Sequence, residues 1–267
     1  DNMKEMPNSI CGNTAVGGNY NSTCDNKDEF FMRYANGITY MDIDDLRKEF
    51  LYANSIQDKI RYFRRDRISM IAANECIGNL GDKAKIVFHI IPEWSFELGN
   101  QIDLLKLENN TRFRPISASG WDYRYNADGY CIFSYDRETN LIKDYTQVFH
   151  NGIIEAVEIR LMSEHGEKRV YEWSQVQLAC IGALVEYGNI MERLRIPKPW
   201  HILATILNAK DYVANFGWGE LSLPIERDLV FSLDGVCTED IQIKVALKPV
   251  FDSLSNAFGF KKSNAFE

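Results

Sequence analysis

Residues 121–162, WDYRYNADGYCIFSYDRETNLIKDYTQVFHNGIIEAVEIRLM, decide the fold class. The stretch is rich in β-branched and aromatic residues and is punctuated by turn residues. Asn126-Ala127-Asp128-Gly129 separates WDYRY from YCIFSY, and His150-Asn151-Gly152 separates LIKDYTQVF from IIEAVEIRLM. Asn-Gly between two apolar runs is the strongest short hairpin signal. The segment therefore reads as an antiparallel meander. Upstream, KIVFHII (85–91) is a short continuous apolar run ending at Pro92, which suits a central strand. Downstream, a long helix is expected over about 172–193. Val176, Cys180, Ala183, Leu184, Tyr187 and Met191 give it a broad apolar face, and Pro197 and Pro199 end it. WHILATIL (200–207), 229–233 and 241–247 read as further strands. A closing helix is expected from Pro249 to Ala257, with Gly259 at its end. Strands and helices do not alternate strictly, so the expected class is α+β, a largely antiparallel sheet covered by helices.

Residues 1–28 are polar and rich in Asn and Gly, and read as a flexible arm or linker; 29–267 read as a single α+β domain. Asp42 is placed to cap a helix carrying Ile43, Leu46, Phe50 and Ala53 at helical spacing. A second helix is expected from Ser55 to about Ala73, with Ile56, Ile60, Phe63 and Ile71 on one face. Its middle is RYFRRDR (61–67). At about 100° per residue, Arg67 points into the apolar stripe and Arg64 lies at its edge, whereas Arg61 and Arg65 point outward. A buried arginine needs an anionic partner, either a carboxylate of the protein or a phosphate of a ligand. Glu155 shares strand parity with Ile153, Val157 and Ile159, so it points where the apolar side chains point. The expectation is a structural ion pair between Arg67 and Glu155. Arg64, Arg67 and Trp94 are the candidate ligand-binding residues if the anion comes from outside.

The chain of 267 residues is 45% hydrophobic and 25% charged, ordinary values for a globular protein. Its net charge of −8 argues against strong direct binding to nucleic acid. No apolar run of about 18 residues is present to span a membrane. The cysteines, at 11, 24, 76, 131, 180 and 237, are scattered without a C-x-x-C pair. They read as reduced thiols in a cytoplasmic protein, with no metal site and no cofactor implied. A P-loop, an H-E-x-x-H pair and a G-x-S-x-G elbow are all missing. An acid–base pair could be built from His89 and Glu93 at a strand end, and with Glu155 and a divalent metal these would make a hydrolase or nuclease. The plainer reading of His89 is a hydrogen-bonded core histidine. Trp94, Trp121, Tyr123, Tyr125, Trp200 and Trp218 lie near expected strand ends, where they could stack on a base or pack in the core.

Three segments carry a family resemblance. The first is F-x-x-R-x-x-x-G-x-x-x-M-D-x-x-x-L-R-x-x-F, here Phe30, Arg33, Gly37, Met41, Asp42, Leu46, Arg47 and Phe50. The second is HIIPEWSF (89–96) and the third LKPVFDSLSNAFGFKKS (247–263). Together they resemble the region downstream of the Schlafen-type, AlbA-like DNA-binding domain in bacterial ATP-binding or transcriptional-regulator proteins. The AlbA-like domain's own Asn-x-x-Gly-Gly turn is not found in this sequence. The resemblance implies a non-catalytic sensory or regulatory module, associated with defence or transcription. Its expected partner is a protein, a nucleotide-like anion, an AlbA-like domain in cis or in trans, or a second copy of the chain as a homo-oligomer.

Overall fold

The computed structural model describes residues 30–34, 37–41, 43–107, 113–165, 168–216 and 221–266. The arm expected over 1–28, the Asp42 cap and Trp218 lie outside them. Contacts divide the chain into two units, one ending at Tyr52 and one beginning at Ala53. In the first, β1 (Phe30–Tyr34) and β2 (Gly37–Met41) form an antiparallel hairpin, Phe30 opposite Met41 and Tyr34 opposite Gly37. Sequence reading assigns no element there.

Helix α1 (Ile43–Ala72) crosses the boundary between the units. It is one helix and not the expected two. Asn54 and Ser55 suggest a break, but both are exposed on a helix that contains neither Gly nor Pro. Their weak helix propensity costs only a fraction of a kcal/mol, about 0.7 at most per residue.

The second unit is built on a sheet containing β3 (Lys85–Pro92), β4 (Asp122–Asn126), β5 (Gly129–Tyr135), β6 (Ile142–Phe149) and β7 (Ile154–Glu158). It also contains β10 (Trp200–Leu207), β12 (Leu229–Phe231) and β13 (Gly235–Cys237). Its order is β12-β10-β3-β7-β6-β5-β4, with β13 also paired to β10, and every pairing is antiparallel. The meander and the central strand stand where sequence places them. A smaller sheet joins β8 (Met162–His165), β9 (Lys168–Glu172) and β11 (Val213–Asn215).

Alternate side chains of a strand point to opposite faces, so each strand feeds two cores. Toward one face go Ile86, Phe88, Ile132, Val148, Ile154, Ala156, Ile202 and Ile206. They pack with α2 (Trp173–Arg193) and α3 (Ile243–Ala257). Toward the other go Val87, Cys131, Tyr145 and Val157, against Ile68 and Ile71 of α1. Further along that face Ile91, Phe149 and Leu203 meet Ile56 and Ile60 of α1. Helices on both faces make three layers, which is why every residue of β3, β7 and β10 is buried.

The C-terminal region corrects the sequence reading. Residues 241–247 are not a strand, and α3 starts at Ile243 rather than at Pro249. Ile241, Ile243, Val245 and Leu247 alternate with period two, yet Val245 is exposed. The buried set is Ile243, Ala246, Leu247, Val250, Phe251 and Leu254, which is helical spacing. Pro249 inside the helix removes the N–H that would bind the Val245 carbonyl. Val245 faces solvent, so water can satisfy that carbonyl.

Candidate functional site

The side chains singled out in the sequence separate into distinct places. On the α1 face, Arg67 grips Glu155 with both ends of its guanidinium: Nε donates to Oε2 and Nη2 to Oε1, each at 2.9 Å. The Tyr145 hydroxyl donates to Oε1 at 2.8 Å, and His89 Nε2 lies 3.0 Å from Oε2. Strand register makes this meeting. Glu155 lies opposite His89 on β3 and Gln147 on β6, with Tyr145 two residues along β6 on the same face. Arg67 arrives from the middle of the α1 stripe, between Ile60 and Ile68, 5% exposed. Asp128, from the β4–β5 turn, stands 3.6 Å from Arg67 Nη1, and the Phe149 ring lies 5.0 Å from the guanidinium carbon. The pairing of Arg67 with Glu155 is thus present.

Burial alone raises the Glu155 carboxyl pKa. Hydrogen bonds and charge from His89 and Arg67 outweigh it and hold the group at about 2. Burial lowers the Arg67 guanidinium, and Glu155 more than restores it. The Tyr145 phenol is pushed far up by burial and by the charge of Glu155, so it stays a neutral donor. An ionised Glu155 accepts at every contact, so His89 Nε2 carries a proton. Glu155 and His89 are both 0% exposed, and a carboxylate held at this pKa is a poor base. The arrangement is a closed clamp between α1 and the sheet.

Glu93 does not join them. It sits in a 3-10 turn (Glu93–Phe96) after β3, where its Oε1 is 2.9 Å from His201 Nε2. Arg64 is also engaged: Nε donates to Thr205 Oγ1 at 3.1 Å, Nη2 to the Ala204 carbonyl, and Nη1 lies 3.6 Å from Asp234. Burial lowers its pKa to about 10, with Asp234 opposing. Trp94 is half-buried against the α2–α3 core, and Trp200 is fully within it. Trp121, Tyr123 and Tyr125 stand exposed on or beside the edge strand β4, and Arg61 and Arg65 are exposed as expected. Among the described residues, no group of His, Cys, Asp and Glu is arranged to hold a metal ion. Cys131, Cys180 and Cys237 are buried free thiols and Cys76 is half-buried.

Sequence reading missed a second polar cluster on the opposite face of the same strands. Asp144 of β6 lies opposite Glu158 of β7, both essentially unexposed. Arg160 Nε donates to Asp144 Oδ2 at 2.9 Å, while the backbone N–H groups of Arg160 and Leu161 donate to Glu158 Oε1 at 2.6 and 3.2 Å. Ser117 Oγ is 2.5 Å from Glu158 Oε2 and 3.4 Å from Asp144 Oδ2, and Ser134 Oγ donates to Asp144 Oδ1. Arg160 thus serves both carboxylates, Asp144 through its guanidinium and Glu158 through its backbone N–H. Burial raises the Asp144 pKa, and it takes Glu158 to about 7 despite the hydrogen bond from Ser117. The signal was present: Glu158 has the parity of Ile154 and Ala156, and Asp144 that of Thr146 and Val148.

Arg160 also lines an open cleft of about 940 Å³ at the end of the sheet. The 79–83 loop, the β5–β6 hairpin, the segment after β7 and strand β9 contribute Lys83, Lys143, Arg160 and Arg169, with Asp82 and Asp136 the only carboxylates among its described lining residues. Lys143 pairs with Asp136 at 2.8 Å, and Arg169 lies over the Tyr212 ring at 5.8 Å. Among the described residues no carboxylate lies within ion-pair distance of Lys83 or Arg169. The cleft is locally cationic on a chain of net charge −8. No helix among the described residues is long and apolar enough to cross a membrane. Comparison with protein-family models, with curated proteins and with solved structures finds no match.

Proposed function

We propose that this chain is a non-catalytic recognition module that binds a phosphate-bearing, nucleotide-like anion in the cleft lined by Lys83, Lys143, Arg160 and Arg169. The carrying observation is that cleft itself: four cations around an open volume, on a protein whose net charge is negative. Clefts of roughly 300–1,000 Å³ with a few convergent polar groups are the usual form of small-ligand sites. A cationic pocket on an acidic chain favours a compact anion over a long polyanion, which the remaining surface repels. The hydrolase reading built on His89, Glu93 and Glu155 has less support, because the first and last are sealed in the clamp and Glu93 pairs with His201. A regulatory role fits a module that binds without chemistry. The resemblance to the region following AlbA-like domains adds a protein partner of that type, in cis or in trans, to the proposal.

The test is a calorimetric titration of ATP and of inorganic pyrophosphate into the full chain at low and high sodium chloride. The expected result is saturable binding that weakens with salt, as charge recognition requires. Absence of binding at millimolar ligand, or binding indifferent to salt, contradicts the reading.

A further inference from the structure

We propose that filling the cleft with an anion is coupled to uptake of one proton by the Asp144–Glu158 pair, with Arg160 as the group shared between them. The inference rests on the anion-binding reading above and adds its regulation by pH. Arg160 faces two ways. Its Nε is hydrogen-bonded to Asp144, and its backbone N–H to Glu158, while its side chain forms part of the cleft wall. One terminal nitrogen, Nη2, is buried without a hydrogen-bond partner, while the side chain as a whole is 27% exposed. An anion in the cleft competes with Asp144 for that guanidinium.

The two carboxylates cannot answer by turning to water, since Asp144 is 0% and Glu158 1% exposed. Buried charge that loses its counter-charge is neutralised by protonation. One proton from solvent then bonds to a carboxylate oxygen of the pair. The resulting O–H can donate to the neighbouring carboxylate or to Ser117 Oγ, which lies between the two. Among the described residues, no other group bonded to the pair supplies a cation. Toward it come Ser134 from β5, Ile86 opposite Glu158 on β3, and Cys180 and Tyr187 from α2, the last two kept neutral by burial. Lys143, next to Asp144 in sequence, is bound to Asp136. Glu158 already sits at about 7, where a modest change in surroundings shifts its proton occupancy at ordinary pH. Because the pair is coupled, the proton belongs to both carboxylates rather than to one.

Sulfate is the probe, because it does not titrate across the range examined and any proton taken up is the protein's. Its affinity for the full chain is measured at constant ionic strength at pH 6 and pH 8.5. The expected result is binding tighter by about fivefold to tenfold at pH 6, the size set by a shift of about one unit in one group. Glu158→Gln mimics the protonated state and should bind at pH 8.5 as tightly as the wild type does at pH 6, with little pH dependence. If that variant does not fold, the wild-type Glu158 carboxyl carbon is titrated by NMR with and without sulfate, and its midpoint should rise with sulfate. Sulfate binding with the same pH dependence in both proteins, binding with none in the wild type, or an unmoved midpoint overturns the coupling and leaves anion binding standing. Failure of sulfate to bind at either pH removes the anion site and the coupling with it.

Discussion

Arg67 is buried and bound at two points by a buried Glu155. Truncating one partner of a buried, hydrogen-bonded ion pair costs about 3–5 kcal/mol, because the other charge is left buried and unpaired. For a unit of this size each kcal/mol moves the melting temperature by roughly 2–4 °C. Arg67→Ala should therefore lower it by on the order of 10 °C, while exposed Arg65→Ala should barely move it; equal small effects would refute the clamp. The clamp also has a pH signature. Glu155 is held at about 2, below its unfolded value of about 4.3, so its contribution is present above the unfolded value and is lost as pH falls toward 2. The melting gap between wild type and Arg67→Ala should narrow as pH falls toward 2, where Glu155 becomes protonated in both proteins. The pairing was legible in sequence because both partners break an apolar period, Arg67 on a helix and Glu155 on a strand. The contributions of His89 and Tyr145 were not, since they depend on which strands pair and in what register.

At the scale of elements, legibility followed period and punctuation. The meander and α2 were readable because turn residues bracket them and one period dominates. Helix α2 ends before Pro197: Arg195 takes a left-handed φ of 57°, and the N–H groups of Arg195 and Ile196 close onto the Glu192 and Met191 carbonyls. The start of α3 was misread because two periods compete over 241–247, and long-range packing chooses between them. That packing is tight at Gly235 of β13, where a Cβ would lie 2.1 Å from the Ala246 carbonyl oxygen on α3. Gly235→Ala must push the helix from the strand. A cost of about 1–3 kcal/mol is expected, as for other overpacked interiors, and chemical denaturation measures it. An unchanged midpoint would show that α3 does not pack on β13 as described.

The molecule as a whole sorts its charge by depth. Toward α1 a balanced pair is sealed in, and toward α2 two carboxylates share Arg160, which opens onto a cleft where cations outnumber acids. Composition shows only the sum, −8, and so hides a local excess of the opposite sign assembled from four separate segments. No sequence period links Lys83, Lys143, Arg160 and Arg169; only the tertiary fold brings them to one cleft. Lys83 and Arg169 are exposed and make no ion pair among the described residues, so replacing both leaves the core intact. The most direct test of the cleft is to titrate inorganic pyrophosphate into the wild type, into Lys83→Ala/Arg169→Ala, and into Arg61→Ala/Arg65→Ala on the exposed face of α1. The cleft variant should lose at least about tenfold in affinity, the effect of roughly 1.4 kcal/mol of lost charge interaction, while the α1 variant binds as the wild type does. Equal affinity in all three, or a loss confined to the α1 variant, would contradict the account.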